Sequence, residues 1–156
     1  MKDSLKVMAA HAYLGRIGKA ERELEQLKTR RSYMQMLLTD TAIHLTETPH
    51  TGTADPQREQ EIHAEIDSLD REIAEAEIRA MRIKREIGMA LYRLTDLNTQ
   101  EAMMLHYVKR MKWRDVAEKM QYSLQRVYQF RENGIKELAS MLAEEKTWED
   151  ERLESD

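Results

Sequence analysis

Apolar side chains recur along this chain in alternating steps of four and three, the spacing of one face of a helix. Between about Asp3 and Leu38 they fall at Tyr13, Ile17, Ala20, Leu24, Leu27, Met34 and Leu38, with Arg31 in the seam position between Leu27 and Met34. Charged Glu21, Arg22, Glu23, Glu25 and Lys28 surround the stripe, which predicts an amphipathic helix with a heptad-like seam. Gly15 and Gly18 each weaken its start by about 1 kcal/mol against alanine. They leave room for a bend or a separate short helix before Lys19.

A cleaner stripe follows: Ile62, Ile66, Leu69, Ile73, Ala76, Ala80, Ile83, Ile87, Ala90 and Leu94. It predicts a helix that starts near Pro56, where proline suits the first turn, and that spans ~50 Å at 1.5 Å per residue. The intervening residues 39–57 carry threonines, both prolines and Gly52, and read as a loop. Neither stripe can stay in water. The first helix is therefore expected to fold back along the second as an antiparallel coiled-coil hairpin, because the connection is intramolecular. Ile78, Met81, Met89 and Leu91 lie off the seam. They broaden the core face, pack on the C-terminal part, or form the surface of a homodimer.

After Leu94 the repeat shortens. Asn98, with Glu101 three residues later, resembles a capping box before a helix at about Thr99–Val108. Trp113–Met120 places Trp113, Val116, Ala117 and Met120 on one face. Gln121 and Tyr122 make a turn, and Ser123 caps a third helix whose Val127, Phe130, Gly134 or Ile135, and Leu138 face inward. Two short helices joined by a tight turn, with small Ala117 in one and branched Val127 in the next, match the spacing of a helix-turn-helix. With that face buried, Leu124, Gln125, Arg126, Tyr128 and Gln129 are left to read base edges. Arginine pairs with guanine and glutamine with adenine through two hydrogen bonds each. Lys109, Arg110, Lys112, Arg114, Ser123 and Arg131 are the candidate phosphate contacts.

Charge sharpens this picture. The whole chain carries −4, yet residues 109–136 hold eight Lys or Arg against three Asp or Glu, a local +5. Such a concentration is what a phosphate footprint needs. The tail 144–156 is the reverse, seven acids against two bases, and reads as a solvated helix end; the alternative is that it shields the basic module or touches polymerase, with Trp148 as an anchor. The expected organisation is all-α: a hairpin over 1–94, a three-helix module over 95–143 and an acidic tail.

Few other chemistries fit. The absence of cysteine excludes disulfides, thiolate metal sites and cysteine nucleophiles. His11, His44, His50, His63 and His106 are scattered, so neither a metal nor another cofactor is expected. No phosphate-binding glycine loop, nucleophile elbow or catalytic carboxylate pair occurs, which speaks against an enzyme. Nothing resembles a secretory signal or an apolar run of ~20 residues, so a cytoplasmic protein with no membrane partner is expected.

Leu97–Leu138, LNTQEAMMLHYVKRMKWRDVAEKMQYSLQRVYQFRENGIKEL, resembles region four of the bacterial sigma factors. The whole plan is similar to small phage and prophage proteins in which a helical hairpin precedes a sigma-like helix-turn-helix, with the ArpU and RinA late-gene regulators as relatives. KWRDVAEKMQYSLQRVY carries most of the likeness, through Trp113, Val116, Ala117, Met120, Tyr122, Ser123 and Val127. The resemblance implies a transcriptional regulator that binds double-stranded DNA, and leaves open whether RNA polymerase is a second partner. It also places Leu124, Gln125, Arg126, Tyr128 and Gln129 toward the DNA. Arg110 stands where sigma factors often have glycine, Lys112 where a serine or threonine often caps, and Leu124 where a polar residue is common, so the preferred DNA sequence does not carry over. Nothing resembles sigma region two. Two other roles fit the same pattern: a DNA-recognition small subunit of phage packaging machinery, and a helical adaptor that engages polymerase without DNA.

Overall fold

The two heptad stripes become the two longest helices, α1 (Lys2–Glu47) and α2 (Pro56–Leu91). The computed structural model describes residues 2–47 and 56–155, with the backbone alone for 41–47. Among these, three more helices follow and no strand occurs: α3 (Leu97–Met103), α4 (Trp113–Met120) and α5 (Leu124–Ser155), with a π-helical turn, Met104–Val108, continuing α3. The chain is all-α. No described helix is long and apolar enough to cross a membrane.

The loop expected over 39–57 is narrower than its composition suggested. Backbone stays helical to Glu47, and α2 starts at Pro56; residues 48–55 lie outside the described residues. Threonine is only a weak helix breaker, and Thr39 returns its hydroxyl to the Gln35 carbonyl at 3.2 Å. No proline or glycine intervenes between Leu38 and Pro49. The possible break before Lys19 is also absent, since α1 runs unbroken through Gly15 and Gly18.

By packing, the chain divides into two compact units, Lys19–Met81 and Met1–Gly18 with Arg82–Asp156. In the first, Met34 and Leu38 of α1 bury against Ile62, Ile66 and Leu69 of α2. Arg31, the polar residue of the seam, meets Asp70 there, while Arg30 reaches Glu65 at 3.0 Å and Lys28 reaches Glu77 at 4.0 Å. Exposed pairs of this kind contribute at most about 1 kcal/mol each, so the apolar seam carries the association.

In the second unit Ala10, Leu14 and Ile17 of α1 share one core with Ile87, Ala90 and Leu91 of α2, with Leu94, with Met103 of α3, and with Ile135, Leu138 and Ala139 of α5. The packing boundary falls at Gly18 and Met81. The start of α1 and the end of α2 cover the C-terminal helices. Leu14, off the predicted stripe, is 1% exposed, while Tyr13 is only partly buried. Contacts from several elements widen the buried face beyond a single seam. Of the off-seam residues of α2, Leu91 is fully buried, whereas Ile78, Met81 and Met89 are exposed. The acidic tail continues α5 as helix to Ser155, with Trp148 exposed.

Candidate nucleic-acid interface

The positions of α3 and α5 are set by two local devices. Asp96, with extended backbone, caps α3: its carboxylate accepts from the Thr99 N–H at 2.9 Å and the Thr99 hydroxyl at 2.8 Å. Those bonds, the hydroxyl foremost, hold the Asp96 carboxyl below its ordinary pKa. The expected Asn98 cap is thus displaced. Asn98 lies inside the first turn, and its amide donates to the Tyr122 hydroxyl at 3.2 Å. The second device is Gly134. A Cβ there would lie 2.8 Å from Met103 Cγ and 3.0 Å from Thr99 Cγ2, so α5 approaches α3 as closely as it does because no side chain intervenes.

Next come α4 and the start of α5. Lys112 is the residue before α4, in extended backbone and without a side-chain cap bond. Gln121 ends α4 in the left-handed region, φ 60°, ψ 38°, and the Tyr122 N–H returns to the Ala117 carbonyl at 3.1 Å. Ser123 then caps α5, its Oγ accepting from the Arg126 N–H at 3.1 Å. Val116, Ala117, Val127 and Phe130 close over Ala102 and Leu105 in one buried cluster. Val127 is 0% exposed, and small Ala117 lets α4 and α5 meet.

Turning Val127 and Phe130 inward leaves Leu124, Gln125, Arg126, Tyr128 and Gln129 exposed. They do not form one surface. Gln125 and Gln129 stand one turn apart on the outward line of α5. Beside them, Arg126 donates from Nη1 to Gln129 Oε1 at 2.7 Å and lies over the Phe130 ring at 4.9 Å. Tyr128 diverges and sets its ring against Trp113, centroids 6.2 Å apart. Glu132, which the sequence reading passed over, continues the Gln125–Gln129 line and pairs with Lys136 at 3.2 Å. Its spacing from Gln129 was the available signal.

The candidate phosphate contacts also divide. Lys109, Lys112, Arg114 and Ser123 are exposed around α4 and its turn. Arg110 takes positive φ, 61°, and its guanidinium lies against Gly18 of α1, where a Cβ would stand 3.1 Å from Nη1. Arg131 is partly buried. It lies over the Trp113 ring at 5.7 Å, with its Nε buried and without a hydrogen-bond acceptor. His106 stacks on the other aromatic contact of this group, 3.9 Å from Trp113 with planes 16° apart, and its Nδ1 meets the Met111 carbonyl at 2.7 Å. Because a carbonyl only accepts, Nδ1 carries the proton. Burial pushes the His106 pKa below its ordinary value; the Arg131 and Arg110 charges add to this and the Met111 bond opposes it.

An arginine fork and two carboxamides on one helix start can donate to and accept from base edges, and neighbouring cations suit phosphates. Among the described residues no three His, Asp or Glu side chains converge as metal ligands; the side chains of His44 and His50 lie outside the described residues.

A family described as Protein of unknown function (DUF1492) matches residues 46–139, more than half of the chain, from before α2 to Ala139 of α5. No curated protein and no solved structure matches.

Proposed function

The chain belongs to this family, and from that premise we propose that it is a sequence-specific DNA-binding transcriptional regulator of phage descent, acting in the cytoplasm without catalysis. In this reading α4 and α5 are a sigma region four-like helix-turn-helix, and α5 enters the major groove by its first two turns. Arg126 and the amides of Gln125 and Gln129 meet base edges, and Lys109, Lys112 and Arg114 neutralise flanking phosphates.

One observation carries the reading: Val127 and Phe130 are buried with Val116 and Ala117 while Gln125, Arg126 and Gln129 stay exposed at a serine-capped helix start. The local positive charge supports it, since phosphate neutralisation supplies most non-specific affinity. The hairpin is supported by pairs in which higher numbers on α1 meet lower numbers on α2, such as Lys28 with Glu77 and Arg31 with Asp70.

Selection of bound duplexes from a random pool tests the proposal. The expected result is a defined motif whose binding is lost in the Arg126→Ala, Gln129→Ala double variant while helicity is unchanged. Recovery of no motif, or full binding by the double variant, overturns it.

A further inference from the structure

The inward face of α5 outlasts the core it packs on. Leu138 is buried, and Met141 and Leu142 are partly buried against the same core. One turn on, Glu145 reaches Arg93 at 2.6 Å. The next positions on that side of the helix are Trp148, Glu149 and Leu153. They stand uncovered, Trp148 to 68% and Leu153 to 79%. Glu144 and Glu151 flank Trp148 and are exposed as well. The end of α5 is thus apolar along its middle and acidic at its margins.

A complementary face lies on the end of α2. Ile87, Ala90 and Leu91 bury into the core, which turns Arg82, Arg85, Met89 and Tyr92 outward on one line, at steps of three and four. All four are exposed, Met89 and Tyr92 to 63% each. Glu86 beside them is held by Arg16 at 2.9 Å. Arg82, Arg85, Glu149 and Glu151, by contrast, have no ion-pair partner among the described residues. The Arg93–Glu145 pair is the same chemistry already made within one chain.

We propose that two copies of the chain associate through these faces, the last turns of α5 of each copy lying along the Arg82–Tyr92 line of the other's α2. Trp148 and Leu153 cover Met89 and Tyr92, and Glu149 and Glu151 meet Arg82 and Arg85. Because every chain carries both halves, a two-fold axis makes the contact twice. Opposite charge selects this pairing, whereas packing α2 on α2 would set one basic line against another. The association uses none of Gln125, Arg126 or Gln129 and does not depend on the DNA reading.

The mass of the full chain in solution, measured by light scattering at low and at high salt, tests the proposal. At low salt the wild-type chain is expected to show twice the mass of one chain, and to shift toward one chain as salt screens the pairing. Arg82→Glu with Arg85→Glu, and separately Glu149→Arg with Glu151→Arg, are each expected to give monomers of unchanged helicity. Mixed in equal amounts, these two variants are expected to form a dimer again, because each reversed face then meets its complement. Trp148→Glu, a single exposed change, is also expected to give a monomer and serves where a double reversal fails to fold. A wild-type monomer at low salt overturns the proposal and returns the tail to its own chain or to another macromolecule. Dimers that survive the reversals or Trp148→Glu, or folded reversed variants that stay monomeric on mixing, overturn it as well.

Discussion

Arg126 and Gln129 are joined side chain to side chain across one turn of α5, the guanidinium donating to the amide oxygen at 2.7 Å above the edge of the core at Phe130. The two groups proposed to read bases thus hold each other's rotamers before any partner arrives. Residues that share a hydrogen bond are energetically coupled, by about 0.5–3 kcal/mol in double-mutant cycles. Arg126→Ala and Gln129→Ala are expected to be non-additive in binding the selected duplex. Strict additivity would show that the bond has no part in recognition.

Arg114 is exposed on the first turn of α4 and is proposed to meet phosphate rather than bases. Arg114→Ala should weaken binding to matched and mismatched duplexes alike. It should also reduce the slope of log affinity against log salt by about 0.9, the value for one phosphate contact. A loss confined to the matched duplex would reassign Arg114 to base reading.

Gly134 and Gly15 make opposite predictions for the same substitution. Alanine at Gly134 drives a methyl into Met103 and Thr99. Overpacking of this kind costs about 1–3 kcal/mol, against a helix-propensity gain of roughly 1 kcal/mol, so Gly134→Ala should lower the denaturant midpoint. At Gly15 nothing stands within 4 Å of the added carbon. Gly15→Ala should therefore stabilise, by up to about 1 kcal/mol. Chemical unfolding of both variants checks the pair.

His106 links stability to pH. In the unfolded chain its imidazole takes a proton near pH 6.5, while burial in the folded protein delays that protonation to lower pH. Between those values the unfolded state binds more protons, so the stabilising contribution is complete above pH 6.5 and is lost as pH falls through the folded value. His106→Phe, which keeps a ring against Trp113, should flatten the difference in Tm between neutral and mildly acidic solution. Parallel profiles for the two proteins would remove His106 from the linkage.

Asp96, not Asn98, caps α3. Asp96→Ala should therefore destabilise more than Asn98→Ala. The Asp96 contribution is present above the ordinary carboxyl pKa and is lost as pH falls through its lowered folded value. Thermal unfolding of both variants near neutrality and in acid tests the order and its pH dependence.

Where periodicity was long, it was enough. Every residue of the Ile62–Leu94 stripe is buried or half-buried, and the limits of α4 and the Ser123 cap match their local signals. Local chemistry misled at Asn98, because Asp96 two residues earlier is an equally good cap and the helix takes whichever end its tertiary contacts favour. Composition misled at 39–47, where threonines without a breaker remained helical. Within the candidate interface, Gln125, Arg126 and Gln129 were legible from spacing. The separation of Tyr128 and Arg131 from them was not, because it depends on where Trp113 and α1 lie.

By itself, then, the order of residues determined the helices, their apolar faces and the exposure of Gln125, Arg126 and Gln129, since all of these follow from a 3.6-residue period and short-range capping. Tertiary structure alone decided that Leu14 joins Leu138 in one core, that Gly134 of α5 sits against Met103 and Thr99 of α3 with no room for a side chain, and that Arg131 lines a cleft with Val7 and His11. Those are meetings of residues far apart along the chain, and no local period encodes which distant side chain will fill a given space.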